Sequence, residues 1–271
     1  MYPICNTIVS ILTVAGFYMF CVLVGSLQEL HTEYHRVGSR IGREPKLYGN
    51  SAGAACALIC YLVLHDLAPV SLVDDMMFGL IDRSRPFSLS LTPIMCEMID
   101  EVIKYWPADL HERVSGILHI GITTQTGHRY ISKFKTNADI YHALLCSMTV
   151  VGFSTYDTIY KNRICIDGWY TFVYTGIRED CLVLTDDLYF PWVLTVPPKI
   201  IRKYLMAYGT AMVSDKCNGR PTDRGVIRDE WRVKDPEVAD MMLKIHSLWY
   251  KDPQWKRHIE TKTKSHISTQ L

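Results

Sequence analysis

The pattern of apolar and polar residues predicts alternating strands and helices from the start of the chain. Residues 8–14 are rich in Ile, Val and Thr, which is typical of a buried strand, and the helix expected over 19–34 has a polar end. A polar stretch with glycines and a proline predicts a loop over 36–45. A short strand over 46–48 and an apolar helix over 54–64 follow.

Later segments continue the alternation. Helices are predicted over 71–83, 92–106, 137–148 (with Asn137 as its N-cap) and 197–213, and strands over 117–124, 129–134, 163–166, 181–184 and 192–196. Strands that alternate with helices favour an α/β fold. We expect a three-layer α/β/α sandwich with a mainly parallel central sheet.

A polar loop over 216–224 separates this body from a terminal helix predicted between Val238 and Trp249. We therefore expect a main domain over 1–214, a helical extension packed on it over 215–250, and a mobile polar tail over 251–271. The excess of basic residues in the tail is more typical of a solvated segment than of a membrane-binding patch.

Composition narrows the class of protein only moderately. The chain has 271 residues, of which 48% are hydrophobic and 21% are charged, and its net charge is +1. No basic stripe appears, so we expect no nucleic-acid partner. The nine cysteines are scattered without a C-x-x-C pair, which predicts free thiols, a reducing compartment such as the cytoplasm, and no zinc site.

Residues 8–27 contain no charged side chain and are numerous enough to span a bilayer. A buried strand followed by a buried helix produces the same composition, and we favour that interpretation because glycines interrupt the run. A membrane anchor through residues 8–27 remains the alternative.

The stretch Gly49-Asn50-Ser51-Ala52-Gly53 lies between the short strand and the apolar helix. Gly49 and Gly53 leave room for a strained strand-to-helix turn, and Ser51 at its apex would expose its hydroxyl above the sheet. Backbone N–H groups at the start of the helix would face the same point. The pattern favours a nucleophile elbow for acyl transfer, and the alternative is a serine that only caps the helix.

A serine nucleophile needs a base. None of the ten histidines lies in an obvious motif; His65 and His142 suit structural positions, and His246 could close a Ser…Asp…His order. A carboxylate is the other candidate, because Asp167 and Gly168 follow a short strand, and burial would raise the pKa of Asp167 toward neutrality. An ordinary Asp-Gly turn is the alternative.

These motifs resemble the patatin-like phospholipases, closest to their adiponutrin and triglyceride-lipase branch. The resemblance rests on the Gly49–Gly53 stretch and on Asp167-Gly168, and it extends over roughly residues 8–210, including 118–134, 139–147 and 160–169. It implies a patatin-like fold and hydrolysis of acyl esters of phospholipids or glycerides by a Ser–Asp dyad, at a membrane or lipid-droplet surface, without metal or cofactor.

Carried over by position, the resemblance makes Ser51 the nucleophile and Asp167 its base, about 2.6–3.2 Å apart between the reacting atoms. Backbone N–H groups of Gly16, Phe17 and Ala52 would form the oxyanion hole. The chain departs from the family in two places: only Gly16 remains of a glycine-rich loop, and Trp169 follows Asp-Gly. The rival hypothesis is therefore a catalytically weak relative that binds lipid or a partner.

Overall fold

The computed structural model describes residues 8–13, 18–73, 92–150, 159–161, 163–171, 181–184 and 199–218. Its helices are α1 (Tyr18–His35), α2 (Ala52–Leu64), α3 (Thr92–Ile103), α4 (Leu110–Val114), α5 (Asn137–Ser147) and α6 (Lys199–Cys217). Its strands are β1 (Ile8–Thr13), β2 (Ile41–Asn50), β3 (Leu118–Thr124), β4 (Gly127–Ile131), β5 (Ile159–Tyr160), β6 (Arg163–Asp167) and β7 (Cys181–Leu184). The chain is thus a mixed α/β protein.

The sheet combines a parallel and an antiparallel part. Strands β7, β1, β2 and β3 pair in parallel in that order, as expected for strands connected through helices. Strands β4 and β6 each pair antiparallel with β3, and β5 pairs antiparallel with β6. The prediction of a mainly parallel sheet is therefore correct only for the four-stranded part among the described strands.

Strand β3 holds two strands end to end along one of its edges. Gly121 pairs with Asn50 of β2 and with Tyr130 of β4, whereas the next residue, Ile122, pairs with Asp167 of β6 and with a β4 residue. A strand has two edges, and β4 occupies one of them at both positions. Strands β2 and β6 therefore share the other edge, and their carboxyl ends meet head to head.

Helix α2 forms the centre of the core. All of its residues from Ala52 to Leu64 are buried, which explains why its sequence is apolar on every side. Helices α1 and α6 pack at backbone distance, because a Cβ at Gly25 would lie 1.8 Å from the Met206 carbonyl oxygen. A Cβ at Gly209 would similarly lie 2.2 Å from the Val22 carbonyl oxygen.

The uncharged residues 8–27 are divided between strand β1 and helix α1, which confirms the prediction of a strand followed by a helix. In the portions of the chain given above, none of the helices combines the length and the apolar character needed to cross a bilayer.

Two local predictions are wrong. The loop predicted over 36–45 ends early, because β2 begins at Ile41, which pairs with Ile8. The register then shifts between Ile8 and Ser10, and Pro45 lies in this irregularity, where a residue without an N–H is tolerated. The N-cap of α5 is Thr136 rather than Asn137, since the Thr136 side chain accepts a hydrogen bond from the Asp139 N–H.

Several predicted elements lie outside the described residues: most of the helix over 71–83, the strand over 192–196, the helix within 238–249 and the tail over 251–271. Helix α6 continues to Cys217, beyond the predicted end at 213. The short helix α4 and strand β5 were not predicted, because neither is long enough to show a periodic pattern.

Candidate active site

Ser51 occupies a strained turn between β2 and α2. Its backbone angles are φ 56° and ψ −135°, a region that residues other than glycine seldom adopt. Its side chain makes no capping hydrogen bond to the helix, so the strain is not explained by helix capping. Unusual backbone geometry of this kind is typical of a nucleophile elbow, where the turn lifts the hydroxyl away from both the strand and the helix.

The turn is tight because its two glycines are in contact. A Cβ at Gly49 would lie 2.2 Å from the Gly53 carbonyl oxygen and 2.6 Å from the Ala54 Cα, and both of these atoms belong to the backbone. Thr13 at the end of β1 lies below the turn, and its hydroxyl is within hydrogen-bond distance of the Gly53 and Tyr48 carbonyl oxygens. The neighbouring strand therefore holds the elbow from beneath.

Asp167 is the last residue of β6 and is buried, with 3% of its surface exposed. Its backbone N–H donates to the Thr149 carbonyl oxygen at 2.9 Å, and its carbonyl oxygen accepts from the Thr123 hydroxyl at 2.8 Å. Its Oδ1 accepts a hydrogen bond from the Trp169 N–H at 2.8 Å. Strand β3, the segment after α5 and the turn at Trp169 thus fix both the backbone and the carboxylate of Asp167.

The end-to-end arrangement of β2 and β6 brings Ser51 and Asp167 to one place. Asn50 and Asp167 pair with consecutive residues of β3, which are about 3.3 Å apart along the strand. Ser51 follows Asn50 directly. The expected contact of about 2.6–3.2 Å between the Ser51 hydroxyl and the Asp167 carboxylate stays a prediction.

The side chain of Ser147 closes the junction between the two strands. Its hydroxyl accepts a hydrogen bond from the Ser51 N–H at 3.0 Å and donates to the Gly121 carbonyl oxygen at 2.7 Å. Both groups lie where the β2–β3 ladder stops, so their hydrogen-bonding capacity is satisfied by a side chain instead of a strand. Ser147 was not predicted as a site residue, because nothing in the sequence indicates this role.

Gly168 is required by its neighbours. A Cβ at this position would lie 2.3 Å from the Gly121 carbonyl oxygen and 2.9 Å from the Asn50 Oδ1 atom. The Asp-Gly pair is therefore more than an ordinary turn, because the glycine lets the β6 end approach the elbow at backbone distance.

On the face of the sheet opposite Asp167, Asn50 belongs to a polar cluster that was not predicted from the sequence. Its Oδ1 accepts from His128 Nε2–H at 2.8 Å, and its Nδ2 donates to the Tyr130 hydroxyl at 3.3 Å. Burial lowers the pKa of His128 to about 4 and raises the pKa of Tyr130. His128 is therefore neutral at pH 7 and supports Asn50, which immediately precedes Ser51.

The predicted oxyanion donors are described only in part. Ala52 is the first residue of α2, and N–H groups in the first turn of a helix have no acceptor within that helix. Gly16 and Phe17 lie outside the described residues, as does His246. Of the other histidines considered, His65 lies at the far end of α2 and His142 lies within α5. Trp169 is partly buried and packs against the core.

The arrangement joins a hydroxyl in a strained turn, a buried carboxylate on the adjoining strand end, and the positive end of a helix. These are the parts that acyl transfer through a serine requires. In comparisons with known proteins, no family model matches the chain and no curated protein matches it.

Proposed function

We propose that the protein is a lipid acyl hydrolase that cleaves carboxylic esters of phospholipids or glycerides through a Ser51–Asp167 dyad. We further propose that the protein is related to the patatin-like phospholipases and that its fold has three layers. It would act at the surface of a membrane or lipid droplet. It requires no metal or cofactor for the hydrolytic step.

One observation carries the proposal. Ser51 has a strained backbone conformation that glycine would adopt more easily, and its side chain does not cap the helix that follows. Strain of this kind costs about 1–3 kcal/mol and is concentrated at functional positions. Asp167 is buried at the end of β6, where β6 meets β2, and supplies the base that this serine needs.

In the proposed reaction, Ser51 Oγ attacks the ester carbonyl carbon while its proton passes to the Asp167 carboxylate. The carbonyl electron pair becomes an oxyanion that faces N–H groups at the start of α2. When the oxyanion collapses, the bond to the alcohol breaks, and the alcohol leaves with the proton from Asp167. Water then attacks the acyl-serine with Asp167 again as the base, which releases the fatty acid and restores the hydroxyl.

Hydrolysis of p-nitrophenyl esters by the purified full chain tests the proposal. We expect release of p-nitrophenol by the wild type and a loss of at least about 1000-fold in kcat for Ser51→Ala and for Asp167→Asn. Ser26→Ala is the matched control, because this buried hydroxyl donates only to the Val22 carbonyl of its own helix. Hydrolysis that survives Ser51→Ala would refute the dyad.

The same assay distinguishes the rival hypothesis of a catalytically weak lipid-binding relative. The departure of the segment around Gly16 from the family pattern motivates that rival, because loss of one oxyanion donor costs about 100- to 1000-fold in kcat. Folded protein that retains lipid binding but hydrolyses no ester would favour the rival.

A further inference from the structure

An open cavity of about 520 Å³ is lined by residues of β3, β4, β5 and β6 and of the segments next to them. Apolar groups line part of it, including Ile122, Ile131 and Cys165. Its volume lies within the usual range for ligand sites, roughly 300–1000 Å³. The proposed function does not by itself assign this cavity a role.

Four basic side chains surround the cavity: Arg129, Lys133, Lys161 and Arg163. All four residues are exposed, and the lining contains no carboxylate. Within the described ranges, the salt bridges lie elsewhere and involve none of these four cations. The lining of the cavity therefore concentrates positive charge, which favours an anionic ligand.

Tyr160 forms part of the cavity wall. Only 7% of its surface is exposed, and its hydroxyl is itself buried, so the ring and not the hydroxyl faces the cavity. The Lys161 ammonium lies 4.9 Å from the centre of this ring, a cation–π contact that keeps this cation at the cavity.

The register of the sheet links the cavity to the dyad. Ile122, which lines the cavity, pairs directly with Asp167, and Cys165 lies two residues before Asp167 on the same strand. Residues that pair directly, and residues two apart on a strand, share one face of a sheet. Asp167 therefore lies on the cavity face, within about 5–7 Å along or across the strands.

We propose that this cavity binds the phosphate headgroup of an acyl lipid, with the basic side chains around the phosphate. The phosphate and the nearer ester carbonyl of a glycerophospholipid are separated by a few covalent bonds, roughly 6 Å when extended. A phosphate in the cavity would thus place an ester near Asp167. That this lipid is also the substrate rests on the proposed function.

Binding to the full chain carrying Ser51→Ala, in which the proposed nucleophile is removed, tests the site by calorimetry. The ligands are dihexanoyl phosphatidic acid, dihexanoyl glycerol without phosphate, and inorganic phosphate without acyl chains. We expect phosphatidic acid to bind at least about tenfold more tightly than either of the other two. Equal affinity for dihexanoyl glycerol would refute a phosphate site, and equal affinity for inorganic phosphate would refute a lipid ligand.

Variants locate the binding. Arg129→Gln and Arg163→Gln should each weaken binding of phosphatidic acid about tenfold, whereas Lys135→Gln, an exposed cation that does not line the cavity, should leave it unchanged. Unchanged binding in both arginine variants would overturn the assignment. Because this measurement needs no turnover, loss of the proposed activity would leave it intact.

A second site is independent of the dyad and lies where α1 and α2 end. His31 and His35 are one turn apart on α1, and Asp66 follows α2. Asp66 Oδ1 lies 2.8 Å from His31 Nε2, and Asp66 Oδ2 lies 3.5 Å from His35 Nε2. The three potential ligand atoms all lie within 4.8 Å of one another.

These distances suit a transition-metal ion with little rearrangement. Ligand atoms about 2.0–2.2 Å from a tetrahedral Zn²⁺ are roughly 3.3 Å apart, and two imidazoles with one carboxylate are a common ligand set. Asp66 has a left-handed backbone with φ 55°, where glycine is usual after a helix. We infer that His31, His35 and Asp66 bind Zn²⁺ and thereby join α1 to α2, with water completing the coordination, about 20 Å along α2 from Ser51.

Calorimetric titration of chelator-treated full chain with ZnCl₂ tests this site. Loss of even an outer-shell partner weakens metal sites about 10- to 100-fold, so His31→Ala, His35→Ala and Asp66→Asn should each weaken binding at least about tenfold. Zn²⁺ should also raise the Tm of the wild type and not of these variants. Thr32→Ala, an exposed change on the same helix, is the control. A wild type that binds no Zn²⁺, or variants that bind it equally, would show that these groups form an ion pair only.

Discussion

At the scale of the residue, Ser51 shows a conflict between stability and the proposed chemistry. Its φ of 56° is unfavourable for a residue with a Cβ, and glycine would adopt it without strain. The chain nevertheless has a hydroxyl-bearing residue here, buried to 8% exposure above the helix start. A residue chosen for stability alone would be glycine, so the strain is consistent with a functional side chain.

Two variants without the Ser51 hydroxyl separate the backbone strain from the proposed chemistry. Ser51→Ala and Ser51→Gly both remove the hydroxyl, but only the glycine variant relieves the backbone. We expect Ser51→Gly to exceed Ser51→Ala in the free energy of unfolding by about 1 kcal/mol, because relief of strain outweighs the entropy that glycine adds to the unfolded chain. Urea unfolding of both variants measures the difference. Equal stability would show that the elbow is unstrained.

At the scale of the element, the site depends on β2 and β6 ending at the same point on β3. Their carboxyl ends leave the Ser51 N–H and the Gly121 carbonyl oxygen without strand partners, and the Ser147 hydroxyl satisfies both. Helix α5 therefore does more than pack against the sheet. Its last residue completes the ladder and fixes the position from which the elbow turns.

Ser147→Ala should break this connection. We expect a loss of about 1–3 kcal/mol in the free energy of unfolding, because the Ser51 N–H is buried and left unpaired. The kcat for ester hydrolysis should also fall, since the elbow loses a fixed point. Ser26→Ala, which removes a buried hydroxyl that donates only within α1, should keep its kcat. If both variants keep full kcat, Ser147 does not position the elbow.

The individual elements could be predicted better than their meeting points. Strand β1, helix α2 and the Ser51 turn follow from local patterns, and the structure has them close to the expected bounds. The pairing of Ile122 with Asp167 joins residues far apart in the chain, and a single sequence carries no signal for it. Ser147 and His128 were missed for the same reason, because their roles come from hydrogen bonds across that junction.

The clustering of basic residues at the cavity could not be predicted from the sequence either. The sequence contains no basic stripe, yet Arg129 of β4 and Lys133 shortly after it line the same cavity as Lys161 and Arg163. The wrong prediction of a loop over 36–45, where β2 begins, has a different origin. Gly42 and Pro45 predict a loop, but a register shift in the β1–β2 pairing accommodates them within the strand.

At the scale of the whole molecule, buried titratable groups should make the fold sensitive to acid. His128 is largely buried against Asn50, and its pKa falls from the ordinary 6.5 to about 4. The unfolded chain therefore binds a proton that the folded protein rejects between these two values. The stabilisation is complete above pH 6.5 and is lost as the pH falls toward 4, by up to about 3 kcal/mol.

Urea unfolding of the wild type and of His128→Gln between pH 7.5 and 4 measures this contribution. We expect the wild type to lose more free energy of unfolding than the variant as the pH falls, because glutamine does not titrate and its amide still donates to Asn50. Parallel pH profiles would show that His128 is protonated equally easily in the folded and unfolded states.

The central claim is that Ser51 is a nucleophile activated by Asp167, and covalent capture tests it most directly. Folded full-length protein treated with a fluorophosphonate and digested should yield one adduct, on the peptide containing Ser51, detected by mass spectrometry. The rate of adduct formation should fall at least about 100-fold in Asp167→Asn, with no adduct in Ser51→Ala. A folded wild type that stays unlabelled at Ser51, or an Asp167→Asn variant labelled as fast as the wild type, would contradict the account.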